Sequence, residues 1–378
     1  MSAESFALPA ILQRSRTRVV FGPGTLDELG ILVLGEGASR ALLVTDPGIV
    51  RAGHVARAVA SLERAEVAVA LFDAVDENPS TAHVAAGVEA ARACNANVLI
   101  GLGGGSSMDC AKGINFILTN GGSMADYWGV DKATKPMLPM IAAPTTAGTG
   151  SEAQSFALIR DPVTHQKMAC GDVKAACRVA VLDPELTRTQ PCAVAAATGL
   201  DALSHAVETA ATTKRSDTSM AFTAEAWSRL NRSFERAMGD PADDQARSDM
   251  LIGAHLAGCA IERSMLGAAH ACANPLTARY DVTHGAAVGV MLPHVVRFNL
   301  GADANPYDAL GGDGDALADR LEAMLVVADL PRRLADHGIP EAALPALAEE
   351  AARQWTARFN PRPVGAAELL DIYRAAFA

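Results

Sequence analysis

The feature that most constrains the fold is an alternation of short apolar runs with alanine-rich stretches in the first half of the chain. The runs are ALLVT, VAVALF, VLIGL and LPMIAA, at residues 41–45, 67–72, 98–102 and 138–143. Stretches with helical spacing separate them, for example at 51–64 and 80–95. This order predicts an α/β domain whose parallel sheet is flanked by helices on both faces. Two further extended segments are predicted at 155–160 and 178–182.

The strand signals almost vanish after LDPEL, residues 182–186. Long segments rich in alanine and leucine follow, interrupted by glycine, proline and asparagine, which is typical of packed helices. A chain of 378 residues is also too long for one ordinary core and favours two domains of roughly 150 to 200 residues. We therefore expect an α/β domain over 1–186 and an all-α domain over 187–378.

Charge and composition exclude several classes of function. The chain carries 43 acidic and 32 basic residues, a net charge of -11, which argues against nucleic acid and anionic membrane surfaces as partners. The N-terminal stretch has no secretory signal pattern, and no apolar run of about 18 residues could span a bilayer. The seven cysteines contain no C-x-x-C pair, which favours reduced thiols over disulfides or a cysteine metal site. We expect a cytoplasmic protein.

The glycine-rich stretch GLGGGSSMDCAKG, residues 101–113, follows the predicted strand ANVLI and leads into helix-forming sequence. Glycines let backbone amides approach a pyrophosphate closely, and the amides at the start of a helix stabilise its charge. Ser106 or Ser107 would add a hydroxyl donor, and Asp109 suits a ribose contact or the capping of an amide. The stretch lacks the G-x-G-x-x-G spacing, so a bare strand-to-helix connection is the alternative.

Two other segments suit a dinucleotide. Asp46 in VTDPG ends a predicted strand, where a carboxylate can accept hydrogen bonds from the adenosine ribose and would repel a 2'-phosphate. This favours NAD over NADP, although Asp46 capping the next helix is the alternative. The turn APTTAGTGSE, residues 143–152, offers four hydroxyl groups for phosphate and nicotinamide ribose. They belong to Thr145, Thr146, Thr149 and Ser151.

A metal site is indicated by one carboxylate and three imidazoles. Asp201 and His205 lie four residues apart on a predicted helix, so both project from one face and can chelate one divalent cation. His270 and His284 lie in LGAAHACANPLTARYDVTHG, a segment otherwise made of small, apolar and turn residues. Such ligands suit iron(II) or zinc(II). A surface ion pair for Asp201 and His205, and hydrogen-bonded core histidines for the other two, are the alternatives.

The chain resembles the iron-containing, or group III, alcohol dehydrogenase family nearly from end to end. The stretches that carry the resemblance are VTDPG, DENPS, GGGSSMDCAK, PTTAGTGSE, LDPEL, GLDALSHAVE, GAAHACANPL and THGAAVGVMLPHVVRFN. The resemblance implies a dehydroquinate synthase-like fold, with a nucleotide domain, a helical metal-binding domain and catalysis in the cleft between them. The implied metal ligands are Asp201, His205, His270 and His284. The implied cofactor contacts are Asp46, Asn78, Gly104, Gly105, Ser106, Thr145, Thr146, Lys167 and Leu182.

One departure from the family concerns catalysis. Four residues after His270 the family carries a second histidine near the substrate and the nicotinamide, and this chain has Asn274 there. An asparagine does not titrate near neutrality, so it cannot relay a proton, but it can donate a hydrogen bond to a substrate oxygen. His270 and Asn274 are thus the candidate catalytic residues. PLTA, where PLGA is commoner, is a smaller departure.

The function implied is hydride transfer between NAD(H) and a small alcohol or aldehyde, with a bound iron or zinc ion polarising the substrate oxygen. A homodimer or larger homo-oligomer is the default expectation. One alternative is an NAD-binding lyase of the dehydroquinate synthase type, which needs clustered lysines and arginines to hold a phosphorylated sugar acid. Near the metal segments only Arg263, Arg279 and Arg297 are present. The other is a nucleotide-binding protein that has lost turnover.

Overall fold

The computed structural model describes residues 8–163, 166–302, 304–311 and 313–378. The chain forms two compact units. The first comprises the chain up to Thr146 together with Ser151–Gln190, and the second comprises Ala147–Gly150 and Pro191–Ala378.

The first unit is built on a six-stranded parallel sheet. The strands of this unit are β1 Arg18–Phe21, β2 Arg40–Val44, β3 Ala68–Phe72, β4 Val98–Gly103, β5 Gly129–Val130, β6 Met140–Pro144, β7 Phe156–Arg160, β8 Lys167–Gly171 and β9 Val179–Leu182. The large sheet has the order β1-β9-β6-β4-β2-β3, and every neighbouring pair in it is parallel. A small sheet of order β5-β8-β7 joins one parallel and one antiparallel pair. The predicted parallel sheet is therefore confirmed.

Helices cover both faces of the large sheet. They are α1 Leu29–Gly35, α2 Pro47–Arg51, α3 His54–Arg64, α4 Thr81–Ala93 and α5 Gly105–Asn120. Leu42 and Val44 of β2 pack with the α5 residue Ile114. Leu43, between them, packs on the opposite face with Leu62 of α3. The strands are apolar on both faces because both faces are buried.

The connections change direction between β2 and β4, which are adjacent in the sheet. The helix α3 that follows β2 covers one face, and α5, which follows β4, covers the other. In open parallel sheets, ligands bind at the carboxyl ends of the strands at such a reversal. Asp46 and Gly104 lie just beyond the ends of these two strands.

The stretch 51–64 differs in detail from the prediction. It contains the end of α2 and the whole of α3. Gly53, which precedes α3, has a φ of 85°, a left-handed conformation that ends one helix and that glycine adopts at little cost.

The second unit is helical, as predicted, and its described residues contain no strand. Its helices are α6 Cys192–Ala211, α7 Asp217–Gly239, α8 Asp244–Glu262, α9 Ala268–Tyr280, α10 His284–Asn299, α11 Gly314–Val327, α12 Leu344–Ala352 and α13 Ala366–Phe377. The helix α6 packs against α7, α8 and α10, and from Gly199 to Ala211 every residue of it is buried. Polar groups on α6 therefore lie inside the unit.

All seven cysteines are free thiols, five of them buried. Among the residues that the structure describes, no helix combines the length and the apolar composition needed to span a bilayer.

Candidate functional site

The metal candidates on α6 lie inside the second unit. Asp201 and His205 are 4% and 5% exposed, and the Nε2 of His205 lies 3.4 Å from the Oδ1 of Asp201. The long alanine-rich helix places both side chains on one face, one turn apart. This burial is incompatible with the alternative of a surface ion pair.

The other two histidines come from the starts of two further helices. His270 is the third residue of α9, and His284 is the first residue of α10. Their Nε2 atoms lie 3.5 Å and 3.9 Å from the same Oδ1 of Asp201. The ring of His270 is stacked on that of His205, with centroids 5.0 Å apart, and its centroid lies 5.4 Å from that of His284. The structure thus groups the ligand atoms of Asp201, His270 and His284, and the fourth predicted ligand, His205, lies beside this group through its contact with Asp201.

The spacing of these atoms fits a single divalent ion. Ligand atoms about 2.0 to 2.2 Å from one tetrahedral ion lie about 3.3 to 3.6 Å from each other. The distances of 3.4, 3.5 and 3.9 Å from Asp201 to the three imidazoles are close to that range. The ligand atoms of Asp201, His270 and His284 all lie within 4.8 Å of one another.

Two of these atoms have no partner of their own. The Oδ1 of Asp201 and the Nε2 of His270 are buried and accept or donate no hydrogen bond. Burying such groups unpaired is costly, and buried charges are normally paired or bound to a metal. Both residues belong to the group whose ligand atoms lie within 4.8 Å of one another. The cluster therefore has the donors and the spacing of a metal site.

The protonation of the cluster follows from burial and proximity. Burial opposes ionisation of Asp201, but the three imidazoles outweigh it and hold the pKa of its carboxyl well below its ordinary value. Burial lowers the pKa of His205, which favours the neutral imidazole that binds metals. Burial alone would lower the pKa of His270, but the carboxylates of Glu208 and Asp201 raise it to about 9.

Glu208 is a residue of the site that the sequence reasoning missed. It is 4% exposed, and its Oε2 lies 2.5 Å from the Nδ1 of His270. It follows His205 by three residues and Asp201 by seven, so all three share one face of α6. That spacing was the signal available in the motif GLDALSHAVE, but nothing in the sequence pairs Glu208 with a residue on another helix.

Asn274 is half-buried on α9, one turn after His270. Its Nδ2 donates a hydrogen bond of 3.1 Å to the Oε1 of Gln354. This bond uses one of the two hydrogens of the amide nitrogen and leaves the other to donate.

The candidate cofactor residues of the glycine-rich stretch lie at the carboxyl end of β4. Gly104 is the N-cap of α5, and Gly105 and Ser106 begin the helix, so their amides belong to the first turn, which has no partners inside the helix. Gly103 has a φ of 150°, and a Cβ there would lie 2.5 Å from the Oγ of Ser107. Any larger residue at position 103 would clash with Ser107.

Asn78 and Lys167 lie beside Ser106. The amide nitrogen of Asn78 donates to the Oγ of Ser106 at 3.2 Å. The Nζ of Lys167 donates to the Oδ1 of Asn78, also at 3.2 Å. Three residues from different parts of the chain therefore form one polar group at the start of α5.

Asp46 has a capping role. Its Oδ1 accepts hydrogen bonds from the amides of Gly48 and Ile49 at 2.8 and 3.1 Å, which is the N-cap of α2. Its Oδ2 accepts from the Oγ of Ser107 at 3.4 Å. One carboxylate oxygen of Asp46 thus caps α2, as the alternative interpretation expected. The other oxygen contacts Ser107 in the glycine-rich stretch.

The residues of APTTAGTGSE are divided between the two units. Thr145 and Thr146 follow β6 in the first unit, and Thr149 lies in the Ala147–Gly150 segment of the second. The amide of Thr145 donates to the carbonyl of Gly103 at 3.0 Å, and a Cβ on Gly104 would lie 3.6 Å from Thr146. Leu182 ends β9 with its side chain fully buried, so only its main chain can reach a ligand.

The side chain of Asp109 forms hydrogen bonds within the protein interior. Its Oδ1 accepts from the Oγ of Ser151 at 2.6 Å and its Oδ2 accepts from the amide of Leu158 at 3.2 Å. Burial raises the pKa of its carboxyl. With both oxygens occupied, Asp109 has the amide contact that the sequence suggested, and a ribose contact would have to replace one of these bonds.

The three arginines near the metal segments have other partners. Arg279 pairs with Glu350, and Arg297 pairs with Asp319 and Glu322. Arg263 lies over the ring of Phe222, 5.7 Å from its centroid. None of them is grouped with another to receive a phosphorylated substrate.

Two family models match the chain. A family model described as iron-containing alcohol dehydrogenase matches residues 16–184. A second, for the C-terminal domain of the Fe-containing alcohol dehydrogenase family, matches residues 195–377.

Similar proteins match over almost their whole length. Alcohol dehydrogenase 4 of Schizosaccharomyces pombe is 35% identical over 384 residues, 99% of this chain and 91% of that protein. 1,3-Propanediol dehydrogenase of Citrobacter freundii is 34% identical and covers 94% of this chain and 96% of its own.

Two solved structures are similar over 98% of this chain. A structure of 1,3-propanediol oxidoreductase has a TM-score of 0.91 and 32% identity, with 99% of that chain covered. The sulfoacetaldehyde reductase of Bifidobacterium kashiwanohense, in complex with NAD+, has a TM-score of 0.88 and 27% identity, with 98% covered. Because the two family models together match most of the chain, and both relatives are more than 30% identical over nearly all of it, the chain belongs to the iron-containing alcohol dehydrogenase family.

Proposed function

We propose that this protein is a metal-dependent dehydrogenase that transfers a hydride between NAD(H) and a small alcohol or aldehyde. The observation that carries the proposal is the buried Oδ1 of Asp201, which has no hydrogen bond and has three imidazole nitrogens within 4 Å. Family membership supports the reaction type.

The metal would be held by Asp201, His205, His270 and His284. When bound, the metal supplies Lewis acidity to the substrate oxygen and the nicotinamide accepts or donates the hydride. Asp201 contributes a carboxylate that stays ionised over the physiological range, because its pKa is lowered. The side chain of His284 is 30% exposed, against 5% for His270, so we place the substrate on the His284 side.

NAD would be bound by the first unit. We assign the pyrophosphate to the amides of Gly104, Gly105 and Ser106, at the start of α5, because these amides are free of helical partners. Asp46 would accept from the adenosine ribose through its Oδ2. The remaining proposed contacts are Asn78, Thr145, Thr146, Thr149, Lys167 and the main chain of Leu182, with Asp109 as a support of the loop. The NAD+ complex of the sulfoacetaldehyde reductase favours this cofactor.

Asn274 would donate a hydrogen bond to the substrate and take no proton. Its amide does not titrate, so proton release would pass through the nicotinamide ribose hydroxyl or through water. The hydrogen bond to Gln354 restricts the orientation of the Asn274 side chain.

Three finer assignments complete the proposal. Iron(II) is the proposed metal, because of the family, and zinc(II) suits the same ligands. A homodimer or larger homo-oligomer is proposed as the assembly, which light scattering can measure. The cytoplasm is proposed as the compartment, because all seven cysteines are free thiols, as expected in a reducing environment.

The lyase alternative has little support. The relatives are alcohol dehydrogenases, and the arginines that could hold a phosphorylated acid have other partners. The alternative of a nucleotide-binding protein without turnover rests on Asn274 alone.

The test is NADH formation by anaerobically prepared protein, after reconstitution with iron(II) or zinc(II) and after chelation. The panel contains primary alcohols, diols including 1,3-propanediol, and hydroxy acids. We expect metal-dependent turnover with at least one of them. Binding of NADH without oxidation of any alcohol, with either metal, would contradict the proposal and favour a protein that has lost turnover.

A further inference from the structure

We propose that Glu208 is a positioning residue that orients His270 for the metal and holds α9 in place against α6. The inference rests on the proposed metal site. Neither the ligand set nor the resemblance to the family assigns a role to Glu208.

Both oxygens of Glu208 are used on α9. Its Oε2 accepts from the Nδ1 of His270 at 2.5 Å, and its Oε1 accepts from the amide of Ala269 at 2.7 Å. All of these groups are buried. Hydrogen bonds to a carboxylate are stronger than those between neutral groups, so this double contact fixes the start of α9.

The contact with Nδ1 sets the tautomer of His270. A carboxylate only accepts, so the Nδ1 must carry the proton. When a metal displaces the second proton of the ring, the Nε2 is the nitrogen that offers its lone pair. This atom is buried, has no hydrogen bond and lies 3.5 Å from the Oδ1 of Asp201. A carboxylate that holds the far nitrogen of a metal-binding histidine fixes the ring and raises its basicity.

The contact with Ala269 replaces a missing helix cap. Gly267, the N-cap of α9, offers no side chain, so the first amides of the helix need partners from elsewhere. Ala268 donates to the Oδ1 of Asn360 at 3.3 Å, and Ala269 donates to Glu208. Glu208 lies on α6, the helix that carries the ligands Asp201 and His205. Its carboxylate therefore helps to set the distance of His270 on α9 from these two ligands.

The variant that isolates this role is Glu208→Gln. A glutamine has one accepting oxygen, so if the oxygen keeps Ala269, its amide nitrogen faces the Nδ1 of His270. The Nδ1 would then have to accept, and the proton would move to Nε2, the atom that faces the ligand cluster. An almost isosteric change is therefore expected to block a ligand.

The experiment measures zinc affinity of the metal-free full-length protein by competition with a chromophoric chelator. Glu208→Gln is expected to bind zinc about 10 to 100 times more weakly than the wild type. Asp249→Asn is the matched control, since Asp249 is a buried carboxylate of the same unit whose partners are Arg229, Arg232 and Ser233 on α7. It should keep the wild-type affinity. Circular dichroism melts of the metal-free proteins report whether each variant folds.

A second measurement needs no variant. In zinc-loaded wild type labelled with ¹⁵N-histidine, His270 is expected to show a protonated Nδ1 and a metal-bound Nε2. An unprotonated Nδ1, or equal zinc affinity in Glu208→Gln and wild type, overturns the role of Glu208 and leaves the metal site standing. A wild type that binds no zinc and no iron overturns the metal site and this inference together.

Discussion

Asp201 is the residue on which the candidate metal site converges. Its Oδ1 is the common neighbour of three imidazole nitrogens that come from three helices. The spacing of Asp201 and His205 could be predicted, because both lie on one helix and the helical period fixes their separation. His270 and His284 could be proposed as further ligands from the sequence, but their distances to Asp201 and His205 could not be predicted, since they depend on how α9 and α10 pack on α6.

A first prediction concerns the side chain of Asn274, which lies on α9 one turn after the ligand His270. Asn274→His introduces an imidazole, whose ordinary pKa is about 6.5, one helical turn from a metal ligand. We expect the pH profile of kcat/KM to gain an inflection in that region, because a histidine there can relay a proton. The profile is measured under saturating metal.

Asn274→Gln is the control, since it keeps an amide at the same position and adds no titrating group. Its profile should have the shape of the wild-type profile. An identical shape in Asn274→His would mean that the side chain at position 274 takes no part in proton transfer.

At the scale of elements, the approach of α10 to α6 depends on Gly285. A Cβ on this residue would lie 1.9 Å from the carbonyl oxygen of Ala197, which is backbone and cannot rotate away. Gly285 follows His284 directly, so the same close approach also sets the position of one ligand.

Gly285→Ala should therefore weaken both folding and metal binding. We expect a loss of about 1 to 3 kcal/mol in the free energy of unfolding, from overpacking, and a weaker zinc affinity as His284 moves with α10. Urea unfolding and chelator competition measure the two effects. Gly239→Ala is the control, because a Cβ at Gly239 meets no atom within 4 Å; equal behaviour of the two variants would contradict the close approach.

The helix α5 is anchored by a fully buried lysine. The Nζ of Lys112 donates to the carbonyl and the hydroxyl of Ser151 at 2.6 and 2.8 Å, and to the carbonyl of Phe156 at 2.9 Å. The hydroxyl of Ser151 in turn donates to Asp109. This chain of bonds joins the glycine-rich helix to the segment that follows the threonine turn.

The Nζ of Lys112 also lies 3.9 Å from the Oδ1 of Asp109. Lys112→Met should therefore cost about 3 to 5 kcal/mol of unfolding free energy, because it leaves Asp109 buried without its cation. Urea unfolding at pH 7 measures the loss. The double variant Asp109→Asn with Lys112→Met should recover part of it, since no charge is then buried alone. A double variant that loses the sum of both single losses would show that the two side chains do not interact.

Strands β1, β5 and β8 were not predicted, and burial alone does not explain this, since the predicted strand β3 is also partly exposed. The residues of β4 and β6 are all buried, and such runs are continuous and apolar. In β1 and β8 only three apolar residues stand in a row, VVF and MAC, which is too short a run to indicate a strand. Strand β5 has two residues, too few for any pattern.

At the scale of the whole molecule, the order of strands and helices gave the fold class of both units. The predicted boundary lay between residues 186 and 187, and the compact units divide at Gln190 and Pro191. The assignment of Ala147–Gly150 to the second unit could not be predicted, because local periodicity carries no information on distant contacts. Both glycines of this segment allow it to pack closely against helices of the second unit. A Cβ on Gly148 would lie 2.5 Å from Thr198 on α6, and one on Gly150 would lie 2.8 Å from Gly258 on α8.

The catalytic role of the metal site is tested most simply by titrating the metal-free protein with iron(II) under anaerobic conditions and measuring the rate of NADH formation with the best alcohol of the panel. We expect a rate that rises linearly to one equivalent of metal per chain and then stays level. Asp201→Asn, which keeps the shape and removes the charge, should remain inactive throughout. A wild-type rate that does not depend on metal, or equal rates in the two proteins, would contradict the claim that this cluster is the catalytic metal site.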